Sequence, residues 1–143
     1  MTNDLRDAKS LPGHEADAGF DRVESFPAGG NVRFGRVCGV NASGAVVEGG
    51  GTRIAGIALH THTKIDNYVQ YDDVSVLTRG LAWCSVIDGG TVTDGGAVEF
   101  NATGEVQDAD VGTAYPNAVF RSDAVTLNDG RVIACVELHS PTA

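Results

Sequence analysis

The chain has 143 residues, a formal net charge of -9 and 19 glycines. That length fits one domain, or one domain with an arm, and buries enough surface to fold without metals or disulfides. An acidic surface repels phosphate backbones, which argues against direct nucleic-acid binding, and no apolar run approaches the roughly 20 residues that span a bilayer.

Met1 to Ser10 is polar and lacks the apolar stretch of a secretory signal. Residues 1–30 carry scattered charges and no sustained strand or helix period, and they read as a mostly irregular arm. Phe20 and Phe26 stand alone in it before Pro27 and Gly29-Gly30. Such a segment either stays disordered or orders on a neighbouring subunit, with the two aromatics as anchors.

From Asn31 to Ala143 the pattern is that of a single β-rich domain. Arg33 to Val40 and Ala45 to Glu48 flank the turn Asn41-Ala-Ser-Gly44 as a hairpin. Arg53 to His60 places Ala55, Ile57 and Leu59 on one face and Ile54, Gly56 and Ala58 on the other. Both faces are small or apolar, as in a strand covered on two sides or lying at a subunit contact. Thr61 to Asp73 reads as a polar loop carrying Tyr68 and Tyr71, either as contacts to a partner or as half-exposed loop aromatics.

Val74 to Thr78 predicts a strand, Arg79-Gly80 a kink or turn, and Leu81 to Ile87 the next strand, with the only tryptophan, Trp83. Trp83 is either a core residue or an anchor between subunits. Ala97 to Asn101 and Glu105 to Gln107 predict a second hairpin across Ala102-Thr-Gly104. Ala118 to Arg121 predicts a short strand. Arg131 to His139 closes the domain with Val132, Ala134, Val136 and Leu138 facing inward. Short strands separated by glycine turns imply an all-β fold, a small β-barrel or sandwich of antiparallel strands.

Residues able to carry chemistry are few. Cys38, Cys84 and Cys135 are an odd, widely spaced set without a CxxC pair, as expected of reduced, packed thiols. His60-Thr61-His62 puts two imidazoles on one side of an extended segment, where they could hold a metal. Asp66, Asp72 and Asp73 follow, but no third ligand has a dictated spacing, so neither a metal nor another cofactor is expected. Ser75 and Ser85 lack the elbow of a hydrolase nucleophile. Gly49-Gly50-Gly51 lacks the lysine of a phosphate loop. The chain therefore reads as no enzyme.

Five pieces in order resemble the capsid cement, or decoration, proteins of tailed bacteriophages. They are Arg33-Phe-Gly-Arg-Val37, Ile54-Ala-Gly-Ile-Ala-Leu-His60, Val74-Ser-Val-Leu-Thr-Arg-Gly-Leu-Ala-Trp83, Gly89-Gly-Thr-Val-Thr-Asp-Gly-Gly-Ala-Val98 and Gly130-Arg-Val-Ile-Ala-Cys-Val136. The resemblance implies a homotrimer made in the host cytoplasm. It would sit on the outer surface of the virion's capsid, bound to the major capsid protein, and stabilise the shell. Phe20, Phe26, Ile54, Ile57, Tyr68, Tyr71 and Trp83 are the candidate interface residues. Two other readings stand beside it. One is a phage tail or baseplate β-domain; the other is a small metal-binding β-barrel enzyme using His60 and His62.

Overall fold

The computed structural model describes residues 15–61, 67–110 and 112–139. Among them every regular element is a strand. The main sheet is antiparallel and curled, built around β7 (Asp73–Ser85). Its strand order is β4 (Val46–Glu48), β3 (Val37–Val40), β5 (Arg53–Ala58), β7, β12 (Val132–Leu138), β10 (Thr113–Phe120), β8 (Ala97–Phe100) and β9 (Val106–Asp108). β1 (Glu15–Pro27) pairs with β7, and β11 (Val125–Thr126) pairs with β12. A separate two-stranded ladder joins β2 (Val32–Arg33) to β6 (Asn67–Tyr68).

The sheet curls until its two ends meet. Val37 N–H, entering β3, donates to Gly104 O in the β8–β9 turn at 2.8 Å. Val86 bridges Val106, and Ile87 N–H donates to Val106 O at 2.9 Å. The result is a half-barrel with one apolar core inside the curl. That core holds Val37, Ile57, Leu77, Cys84, Phe100, Tyr115, Phe120 and Val136. A second cluster, including Val32, Cys38, Val46, Tyr68, Val74 and Val76, lies across the β3–β5 end of the sheet.

β7 serves both cores. Val74 and Val76 point into the second cluster, whereas Ala82 and Cys84 point into the first. Strict alternation would keep all the even positions on one face. Between them, the pairing of β1 with β7 steps from Arg22↔Arg79 to Val23↔Leu77, which skips Thr78. This bulge, with Gly80 at φ 123°, reverses the faces without breaking the strand. Of the kink or turn expected at Arg79-Gly80, the kink is what forms; one strand of 13 residues runs through it.

The irregular arm is likewise corrected over Glu15–Pro27, where 13 residues form β1. Its pairing to β7 is a main-chain ladder, and from Arg22 to Pro27 its side chains are lightly covered. Val23, Ser25 and Pro27 are exposed, and Glu24 and Phe26 half-buried. A strand held mainly by backbone leaves no apolar period to read. Thr61 to Asp73 is also not wholly a loop, because Asn67 and Tyr68 form β6. The 41–44 turn, the β8–β9 hairpin and the inward face of β12 follow the expected pattern.

β10 shows why a strand can be under-read. It contains Pro116, which has no N–H for a ladder. The chain pairs with β8 through Tyr115, shifts register, and pairs with β12 from Ala118. The break falls at the proline, so only the stretch after it looks like a strand in sequence.

Candidate functional site

Of the histidine pair, only His60 lies among the described residues. His60 packs its ring edge-on against Phe34, with centroids 4.8 Å apart. His62 and Asp66 lie outside the described residues. Among the described residues, no three of the histidine, cysteine, aspartate and glutamate side chains gather as a metal would need.

The three cysteines are free and buried. Burial pushes the Cys38 thiol up to about 12 and the Cys135 thiol up to about 11, and raises Cys84 well above its ordinary value. Thiols held protonated in this way are poor nucleophiles.

The candidate interface residues divide by burial. Ile57 is fully covered in the first core. Tyr68 is 2% exposed; its hydroxyl donates to Leu59 O at 2.7 Å, and Phe34 packs edge-on at 5.4 Å. Both residues are packed within the protomer. Ile54 is half-buried against the first core and Phe26 against the second. Phe20 lies on β1, and its side chain is outside the described part. Trp83 is half-buried and belongs to neither core. It alternates with Ala82 and Cys84, so it stands on the outer face of β7, flanked by half-buried Leu81 and Ser85.

Among the described residues Tyr71 is the most exposed large hydrophobic side chain, at 82%. It is also the one described non-glycine residue at positive φ, 74°. The loop that holds it is tied on both sides. Asp72 N–H donates to Val69 O at 3.0 Å, Val69 N–H to Asp72 Oδ2 at 2.8 Å, and Tyr71 N–H to Ala28 O at 2.9 Å. Val69, 46% exposed, stands beside it. A bulky residue held in the left-handed region is uncommon and sits at a local energetic cost. The strained backbone and the exposed ring coincide at this one residue.

Other polar features are structural supports. A groove of about 420 Å³ lies over the paired ends of β7 and β12 and is lined by Arg79, Leu81, Arg121, Glu137 and His139. Arg121 is hydrogen-bonded to Glu137, and His139 Nε2 lies 3.6 Å from the same carboxylate. Glu99 is a covered carboxylate that the sequence did not single out. It accepts from Gln107 and from the N–H groups of Asp110 and Gly112, both at 2.7 Å. No periodicity marks it; its donors come from β9 and the β9–β10 connection, which the β8–β9 hairpin folds back beside it.

What these surfaces offer is contact: exposed aromatic and aliphatic side chains on a rigid sheet, a net acidic chain and quiescent thiols. The comparisons agree. The model of the family described as "Structural cement protein (E217 gp24/Pam3 gp6)" matches residues 2–139. No curated protein matches. A solved chain from the structure titled "The capsid of Myoviridae Phage XM1" has a similar fold, with a TM-score of 0.71 at 19% identity. The likeness covers 90% of this chain and 89% of that one. A family match over almost the whole chain makes it a structural protein and not an enzyme, and the chain belongs to the phage structural cement protein family.

Proposed function

We propose that this cement protein binds the outside of a phage head as a homotrimer, contacts the major capsid protein and stabilises the shell. The full-length family match carries the reading. The geometry supports it. Trp83 and Leu81 on the outer face of β7 provide apolar area that a lone protomer leaves partly wet, and symmetric copies give such a face a partner. The Tyr71–Val69 loop provides a projecting contact for the shell. Many weak contacts repeated over a lattice add to a large total stabilisation, so no single contact need be strong. The net charge of -9 suits a basic protein partner and disfavours adhesion to DNA.

Heads lacking the protein, mixed with purified chain, test the reading. The expected result is saturable binding at three-fold positions, a higher temperature of head disruption, and a solution mass of about three protomers. Absence of binding to heads, binding to tails instead, or unchanged head stability at full occupancy would overturn it.

A further inference from the structure

β1 has one edge on β7 and one edge that no described residue pairs with. Its even positions turn their backbone groups inward. Arg22 O accepts from Thr78 Oγ1 at 3.2 Å, and Ala28 N–H donates to Asp72 O at 2.8 Å. On the far side of β7, Ser75 O accepts from Leu59 N–H at 2.8 Å, so Ser25, opposite Ser75, is not bonded to it. The odd positions Val23 and Ser25 therefore point N–H and C=O outward. Pro27, which has no N–H, shares that outward parity, as edge prolines do.

The residues around this edge, Phe20-Asp21-Arg22-Val23-Glu24-Ser25-Phe26, are self-complementary about Val23, with phenylalanine at both ends and opposite charges at Arg22 and Glu24. We propose that β1 pairs antiparallel with β1 of a second copy of this chain across a two-fold axis at Val23. In that register Val23 faces Val23 of the second copy, Arg22 faces Glu24, Glu24 faces Arg22, and Phe20 is set opposite Phe26. The outward positions 21, 23 and 25 exchange about six backbone hydrogen bonds. Directly opposed unlike charges favour a cross-strand pair and like charges oppose it.

The charges also select this register. Moving the axis to Arg22 sets arginine against arginine, and moving it to Glu24 sets glutamate against glutamate. Charged residues on an edge normally deter pairing with arbitrary strands. Here they deter the two adjacent registers, and the register centred on Val23 is the one in which Arg22 and Glu24 of both copies find unlike partners. Val23, 43% exposed, is the apolar centre of the contact. Within the single chain Arg22 Nε lies 3.3 Å from Glu24 Oε2 on an open surface, so the pair is free to exchange partners. A two-fold contact of this kind joins neighbouring cement units and stands apart from the face that closes a trimer.

Sedimentation velocity of the full chain across a concentration series tests it. The wild type is expected to show reversible doubling of its assembly unit, weakened by salt. Glu24→Arg sets arginines against one another and should raise the dissociation constant of that doubling at least about tenfold, which corresponds to ~1.4 kcal/mol. The charge swap Arg22→Glu/Glu24→Arg restores complementarity and should recover it. Circular dichroism checks that each variant folds, and a misfolded Glu24→Arg leaves the swap and Val23→Pro as the deciding pair. Absence of doubling in the wild type, or a swap that behaves like the single reversal when both are folded, would overturn the proposal. Head binding is read separately from particle occupancy, so failure here is distinguishable from failure of the cement reading.

Discussion

Arg33 grips Glu48 through three hydrogen bonds: from its backbone N–H at 2.9 Å, from Nε at 2.8 Å and from Nη2 at 2.9 Å. The pair ties β2 to the end of the β3–β4 hairpin, although the two residues are 15 apart in sequence. Burial alone would raise the Glu48 carboxyl, but the hydrogen bonds from Arg33 outweigh it and hold the group below the ordinary carboxylate range. The hydrogen bond to Glu48 raises the Arg33 guanidinium in return.

Glu48→Gln is therefore expected to lower stability by about 1 kcal/mol at neutral pH, the charge-assisted value discounted because Arg33 is open to solvent. A carboxyl depressed in the folded state adds stability above its unfolded pKa and loses it as pH falls through the folded one. Thermal melts of wild type and variant should separate at neutral pH and converge in acid. A gap that persists unchanged in acid would assign the effect to packing instead of charge.

Glu99 should be less replaceable than its place on a short strand implies. Hydrogen bonds from Gln107 first, and then from the Asp110 N–H, hold its carboxyl below the ordinary range. Glu99→Ala removes the acceptor of two backbone amides and should destabilise the β9–β10 connection; Glu99→Gln, which keeps one oxygen, should cost less. Amide exchange at Asp110 and Gly112 reads this directly. Faster exchange confined to those two amides in Glu99→Ala is the expected outcome. The anchoring is complete above the carboxylate range and is lost as pH falls below it, because protonation removes acceptor strength.

The seam of the half-barrel should be sensitive to a single methyl group. A Cβ at Gly104, where φ is 82°, would stand 2.3 Å from Val37 O and 2.9 Å from Val37 N. Both are backbone atoms of the β3 ladder and cannot swing away. Gly104→Ala should thus cost about 3 kcal/mol, from left-handed strain plus overpacking. Gly30→Ala is the control: nothing lies within 4 Å of a Cβ there, and a change within about 0.5 kcal/mol is expected. Equal chemical-denaturation midpoints for the two variants would mean that the ends of the sheet are not locked together.

The thiols give a test of the folded interior. Cys38, Cys84 and Cys135 are all buried and shifted toward the protonated form. At pH 8 a thiol-reactive chromophore should react slowly with native protein and with all three cysteines at once after denaturation. Rapid labelling of one cysteine in the native state would place that strand outside the core.

The elements legible in the sequence are those whose side chains carry the period. Val132, Ala134, Val136 and Leu138 alternate on β12 and enter the first core. The 41–44 turn is legible because Asn41 Oδ1 accepts from Ser43 and Ala45 N–H, as asparagine does in such turns. β1 is illegible because backbone bonds hold it while Arg22, Val23, Ser25 and Pro27 stay exposed. The continuity of β7 is hidden because a bulge and Gly80 switch its faces, which reads as an interruption. Tyr68 looks like a loop residue because its neighbours are polar; only the fold reveals that Leu59 O satisfies its hydroxyl in the core. The candidate surface is less legible still. Exposure of Tyr71 and the free edge beside Val23 follow from which strands pair, and local pattern does not encode that.

Tyr71 joins stability to binding in one residue. Its left-handed backbone costs a bulky side chain about 1 kcal/mol or more, and asparagine tolerates that region better. Tyr71→Asn should therefore raise the melting temperature by a few degrees, since about 1 kcal/mol moves a domain of this size by roughly 3–5 °C. The same change removes the ring that stands 82% exposed beside Val69. If the ring contacts the shell, occupancy on heads should fall even as the protomer becomes more stable. The two readouts move in opposite directions only when strain is retained for contact. A variant that gains stability and keeps full occupancy would make the strain a by-product of the turn closed by Val69 and Asp72.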